Sequence, residues 1–115
     1  MNVRLLRKVQ KHIAKEYRRW SWSFVRPTNE SPCGTQACIG GWTCILGQKL
    51  SIPLIAKEDK SVLRKINRSI ARKLLGLTPK EAQRLFFLWP GQFNPYDQSD
   101  AVARIDHFIK TKGAE

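Results

Sequence analysis

The segment from residue 36 to residue 48 constrains the fold more than any other part of the chain, because it has no polar side. It reads Gln-Ala-Cys-Ile-Gly-Gly-Trp-Thr-Cys-Ile-Leu-Gly-Gln, and the first charged side chain after it is Lys49. A helix that is apolar on every side belongs in the interior of a fold. We therefore predict a buried central helix over residues 36–48, with Thr35 as its N-cap.

Residues 3–20 have the pattern of an amphipathic helix with an unusually basic outer side. Leu6, Val9 and Ile13 fall on one face, and Tyr17 and Trp20 continue it. Cations follow on the opposite face at spacings of 4, 3, 4 and 3 residues, which keeps them within about 80° of arc. These cations are Arg4, Lys8, Lys11, Lys15 and Arg18.

A second basic amphipathic helix is predicted over residues 60–75, with Gly76 as its C-terminal stop. Its apolar side faces away from Arg64, Arg68 and Arg72. Two further helices are predicted over 79–88 and 100–111. The first begins with the capping box Thr78-Pro79-Lys80-Glu81, and the second is capped by Asp97 or Ser99.

These segments together predict an all-α fold. We expect residues 1–115 to form a single compact domain of about five helices around the central apolar helix, since 115 residues is an ordinary length for one domain.

The charge of the chain is concentrated in two regions. The sequence contains 21 Lys and Arg against 9 Asp and Glu, a formal net charge of +12. Residues 1–26 contribute +7 and residues 57–84 contribute +6, while 27–56 are neutral and 85–115 carry −1. Solvated helix faces usually mix charges of both signs, so this segregation favours an anionic macromolecular partner.

We predict a small non-enzymatic protein that contacts nucleic-acid phosphates, in DNA or RNA, through the two cationic helix faces. Arg4, Lys8, Lys11, Lys15 and Arg18 are the predicted primary contacts, and Arg64, Arg68 and Arg72 the secondary ones. The aromatic residues Trp89, Phe93 and Tyr96 are candidates for base stacking.

An acidic protein surface would be attracted by the same charges. The alternative hypothesis is therefore an inhibitor or adaptor of the anti-defence type, which docks on an acidic surface or on the nucleic-acid channel of another protein.

The cysteines support a third hypothesis and argue against a metal. Cys33, Cys38 and Cys44 are separated by 5 and 6 residues, which is not the spacing of a zinc site, so no metal and no cofactor are expected. Cys33 precedes a predicted helix N-terminus, where the helix dipole would lower the pKa of a thiol. A thiol enzyme using Cys33 is thus the third hypothesis.

Hydropathy predicts that no segment spans a membrane, because the apolar runs reach only four to five residues, as in Leu85–Trp89, against the roughly 20 required. No secretory signal is recognisable at the N-terminus. We expect a cytoplasmic protein with reduced thiols.

Three segments of the chain resemble parts of small bacterial and phage proteins that have no established activity. The first is Cys33-Gly34-Thr35-Gln36-Ala37-Cys38-Ile39-Gly40-Gly41-Trp42, and the others begin at Leu75 and at Ala101. The resemblance implies a bacterial or phage source and brings no mechanism with it.

Overall fold

The computed structural model describes residues 1–15, 17–22, 25–27 and 35–115. The described residues are mostly helical, which confirms the all-α class, and they form seven α-helices rather than about five. These are α1 (Val3–Lys15), α2 (Ile39–Gly47), α3 (Ile52–Ala56), α4 (Lys60–Leu63), α5 (Arg68–Leu75), α6 (Pro79–Phe86) and α7 (Gln98–Lys110).

The apolar helix α2 lies at the centre of the fold, as its sequence predicts. Every residue from Ile39 to Ile45 is buried, and α2 packs against α1 and α5. Helix α1 in turn packs against α7. A single cluster of buried apolar side chains joins these helices.

The predicted start of the central helix, with Thr35 as N-cap, was wrong. Strand β2 (Thr35–Ala37) occupies these residues and pairs antiparallel with β1 (Val25–Pro27). The backbone groups of residues 35–37 are thus used by strand pairing. The helix begins at Ile39, and Cys38 holds the N-cap position without a capping side-chain bond.

The first helix is also shorter than predicted. It ends at Lys15, and a 3₁₀ turn (Tyr17–Arg19) follows. Beyond the turn the backbone pairs with β2 instead of continuing a helix, because Trp20 bridges to Ala37 and the Ser21 N–H donates to the Ala37 carbonyl. Trp20 is nevertheless buried, as the amphipathic pattern predicts.

The helix predicted over residues 60–75 is broken between Leu63 and Arg68. Asn67 caps a new helix by accepting a hydrogen bond from the Ile70 N–H. Side chains of the central helix region bond the carbonyls at the break: Gln48 Nε2 donates to Lys65 O at 2.6 Å, and Cys44 Sγ to Asn67 O at 3.3 Å. These bonds hold the break against α2.

The remaining helix ends agree with the sequence to within two residues. The Thr78–Glu81 capping box is formed with both of its hydrogen bonds, and α6 ends at Phe86 rather than at residue 88. Gly76 ends α5 in the left-handed conformation, with φ of 65°. Asp97, not Ser99, caps α7, which begins two residues earlier than predicted.

One buried charge is placed inside the apolar core without an ion pair among the described residues. The Arg104 guanidinium is fully buried, and its Nη2 donates to Arg84 O at 3.1 Å. Its Nε and Nη1 atoms have no hydrogen-bond partner, and burial lowers the pKa of Arg104 to about 10.

Replacing this buried cation should stabilise the fold. We expect Arg104→Met to raise the free energy of unfolding by about 1 kcal/mol, because removing a buried cation with two unsatisfied donors outweighs the loss of its hydrogen bond to Arg84 O and of its contacts with the Phe93 and Phe108 rings. Urea unfolding followed by circular dichroism measures the change, and Arg7→Met, at an exposed ion pair, is the matched control with an effect below about 1 kcal/mol. A loss of stability in Arg104→Met would contradict this expectation.

Candidate nucleic-acid interface

The outer face of α1 presents four of the five predicted primary contacts to solvent. Arg4, Lys8, Lys11 and Lys15 are all exposed, whereas Leu6, Val9 and Ile13 on the opposite side are fully buried. We call these four cations the α1 cationic face. The fifth predicted contact, Arg18, lies in the following 3₁₀ turn and is half-buried.

The cations of this face are not neutralised within the described part of the chain. No acid occurs in residues 1–15. Among the described residues the face forms no ion pair. Arg7, on the side of α1 that faces α7, binds Asp106 at 3.0 Å, and Lys110 binds the same carboxylate at 2.7 Å. The Asp106 carboxylate therefore stabilises the contact between α1 and α7.

A groove runs beside the N-terminal half of the α1 cationic face. Its volume is about 430 Å³, and it lies between α1, the end of α2 and α5. Arg4, Lys8 and Lys49 supply its charges, while Leu5, Leu46 and Leu74 supply apolar surface. Lys49 was not among the predicted contacts. Its position directly after the charge-free helix was the signal that could have identified it.

Gly47 lies where the three helices meet at this groove. A Cβ atom on Gly47 would lie 3.1 Å from Leu74 Cδ1 and 3.2 Å from Leu5 Cδ2. Both distances are shorter than ordinary van der Waals contact. A side chain at residue 47 would therefore require Leu74 or Leu5 to shift by a few tenths of an ångström.

The secondary contacts of α5 do not join the α1 cationic face. Arg68 and Arg72 line a different cavity, next to α6, and Arg72 Nη1 donates to Leu77 O at 3.2 Å. Leu74, which lines the groove beside α1, is about 200° around the helix from Arg72. The α1 cationic face and the pair Arg68 and Arg72 therefore lie on different sides of α5. Arg64 is exposed at the C-terminal end of α4.

The three candidate stacking residues have different environments. Trp89 is half-buried, and its ring stacks on Trp20 with centroids 5.7 Å apart. Phe93 is half-buried beside His107, with ring centroids 5.4 Å apart. Tyr96 is 78% exposed. Of the three, Tyr96 alone presents most of its ring to solvent.

His12 lies at the edge of the α1 cationic face and packs on the central tryptophan. Its ring centroid is 4.1 Å from that of Trp42, and Arg19 Nη1 lies 3.2 Å from its Nδ1 atom. Burial, together with the charges of Arg19 and Lys15, lowers the pKa of His12 to about 4. The imidazole is therefore neutral near pH 7 and accepts a hydrogen bond from Arg19.

The lowered pKa makes stability depend on pH. The unfolded chain binds a proton at His12 near pH 6.5, and the folded chain binds it only near pH 4. The contribution of the neutral His12 ring to stability is therefore present above pH 6.5 and is lost as the pH falls towards 4. We expect the free energy of unfolding to drop by about 2 kcal/mol between pH 7 and pH 4.5.

Urea titrations at the two pH values measure this drop, with His12→Gln as the comparison. The acids whose pKa values are lowered in the folded chain, such as Asp106 and Glu81, also lose part of their stabilising effect near pH 4.5, because they become protonated in the unfolded chain; the His12→Gln variant retains this smaller loss. An equal drop in the His12→Gln variant would show that another group is responsible.

The two described cysteines have the properties of structural thiols. Cys44 is buried, and Cys38 is half-buried at the start of α2. Burial raises the pKa of both thiols, which disfavours the reactive thiolate. Cys33, on which the thiol-enzyme hypothesis depends, lies outside the described residues.

Within the described ranges, no group of three or more His, Cys, Asp or Glu side chains is placed to hold a metal ion. The described helices also include none with the length and apolar character needed to cross a bilayer. No protein-family model, curated protein or solved structure matches the chain.

Proposed function

We propose that this chain is a small binding protein, rather than an enzyme, which holds nucleic-acid phosphates on the α1 cationic face. One observation carries the proposal: four exposed cations lie on one side of a helix that contains no acid. From Arg4 to Lys15 the helix axis rises about 17 Å, comparable to about five phosphate steps along one strand of B-form DNA.

Lys49 adds a fifth cation beside Arg4 and Lys8 in the groove. Contacts of this type fix the position of the nucleic-acid backbone and carry little sequence information. We therefore propose binding of limited base specificity. A cytoplasmic setting and a bacterial or phage source remain parts of the proposal.

The salt dependence of binding tests this proposal. Fluorescence polarisation with labelled 20-nucleotide single strands and duplexes of DNA and RNA is measured from 50 to 200 mM NaCl. With four to five phosphate contacts, we expect affinity to fall on the order of 100-fold over this range. Absence of binding to all probes at 50 mM, or affinity that does not change with salt, would reject the proposal.

A further inference from the structure

A second surface of the molecule exposes two large apolar side chains to solvent. Phe87 is 44% exposed and Leu88 is 58% exposed, and both lie directly after the last residue of α6. We call these two side chains the Phe87 ridge. Adjacent exposed apolar side chains of this size, with polar groups around them, are typical of interaction sites.

Two cavities lie on either side of the ridge, and Phe87 lines both. One has a volume of about 220 Å³ and lies between α5 and α6, with Pro79, Ala82 and Phe86 in its wall. The other has a volume of about 440 Å³ and includes Leu88 and Trp89. The ridge thus separates two recesses, each able to receive an apolar side chain.

Cations surround the ridge. The Arg68 guanidinium lies 4.5 Å from the centre of the Phe87 ring, and Arg72 lines the smaller cavity with it. Arg84 lines the larger cavity together with Glu115, whose carboxylate is 3.1 Å from His107 Nε2. Among the described residues that line the smaller cavity, none is acidic. Charge complementarity therefore favours an acidic partner.

The same charge argues against a second copy of this chain as the occupant, because the protein carries a net charge of +12. A nucleic acid would use the arginines and the Phe87 ring, but it would leave Leu88 and the apolar wall of the smaller cavity without a partner. An acidic protein segment with apolar anchors uses all of these features.

We propose that the Phe87 ridge is the docking site for an acidic amphipathic helix of a partner protein. Apolar side chains spaced three or four residues apart on that helix enter the two recesses, and its carboxylates lie near Arg68 and Arg72. This site is separate from the α1 cationic face and does not depend on nucleic-acid binding. Arg68 and Arg72 act here as protein contacts instead of secondary phosphate contacts.

A synthetic peptide tests the proposal directly. The probe is a fluorescein-labelled 18-residue helical peptide with Leu and Phe on one side and Glu on the other, measured by polarisation in 100 mM NaCl. We expect Phe87→Ser/Leu88→Ser to weaken binding at least tenfold, and Arg68→Gln/Arg72→Gln to do the same. Tyr96→Ser is the control for the apolar change and should alter the affinity less than twofold. Lys8→Gln/Lys11→Gln removes the same total charge as Arg68→Gln/Arg72→Gln at another place and should alter it less than threefold.

Several results would overturn the proposal. One is no peptide binding at 0.1 mM protein, and another is equal binding after Phe87→Ser/Leu88→Ser. Equal binding of a peptide with Gln in place of Glu would reject the acidic partner. A dimer that these ridge substitutions dissociate in sedimentation would identify a second copy as the occupant. A loss of oligonucleotide binding in the same variant would identify a nucleic acid. Circular dichroism checks that each variant is folded.

Discussion

Lys8→Glu/Lys11→Glu should weaken nucleic-acid binding at least 100-fold at 50 mM NaCl and leave the fold unchanged. Both side chains are exposed in the middle of the α1 cationic face, so their loss removes two phosphate contacts and adds two repulsive charges. Neither makes a hydrogen bond or ion pair within the described residues, and neither contributes to the buried core. Polarisation measures the affinity, and circular dichroism at 222 nm confirms the helix content.

The matched control for this variant carries the same change in total charge at another place. Lys80→Glu/Lys112→Glu replaces two exposed lysines, one in the first turn of α6 and one after α7. We expect it to weaken binding less than tenfold, because only the long-range field changes. An equal loss in both variants would show that overall charge, rather than the α1 cationic face, holds the nucleic acid.

Trp42→Ala should cost about 3–5 kcal/mol, a large share of the 5–15 kcal/mol that stabilises an ordinary domain. Among the described residues, Trp42 is the largest fully buried side chain, and its Nε1 donates to Arg19 O at 2.9 Å. The substitution leaves a cavity in the centre of the fold and an acceptor without its donor. Urea unfolding followed by circular dichroism measures the loss.

If Trp42→Ala does not fold, Trp42→Phe provides a smaller change at the same position. It keeps an aromatic ring beside His12 and loses the hydrogen bond to Arg19 O, so we expect a cost of about 1–3 kcal/mol. Tyr96→Ala, at an exposed ring, should change stability by less than about 0.5 kcal/mol. A cost below 1 kcal/mol for Trp42→Ala would contradict the central position of this side chain.

Apolar patterning predicted which helix lies at the centre, because a helix without a polar side has no stable place at the surface. Cap residues predicted helix ends where the signal was complete, as at Thr78–Glu81 and Gly76. The break near Asn67 was missed although Asn is a good N-cap, because the amphipathic pattern continues through it. The bonds from Gln48 and Cys44 that hold this break are long-range and could not be predicted from local sequence.

The candidate site was likewise predictable from the sequence only in part. The spacing of the α1 cations predicted a common exposed face, since helix geometry alone fixes it. Whether Arg68 and Arg72 would join that face depends on how α5 is rotated about its axis, which is set by packing against α2 and α6. Lys49 follows the end of α2, where its backbone is left-handed with φ of 55°, and its place in the groove depends on how α1, α2 and α5 pack. Periodicity therefore does not indicate the position of Lys49. Helix spacing does place Phe87 on the same side as the exposed Gln83, four residues earlier.

The most direct test of the central claim is to map the bound nucleic acid on the protein by NMR. A 12-nucleotide oligothymidine is titrated into ¹⁵N-labelled protein at 50 mM NaCl, and amide shifts are followed for each helix. We expect the largest shifts on α1 from Arg4 to Lys15 and on Lys49. Shifts confined to α5 and α6, around Arg68 and Phe87, with α1 unchanged, would contradict the central claim.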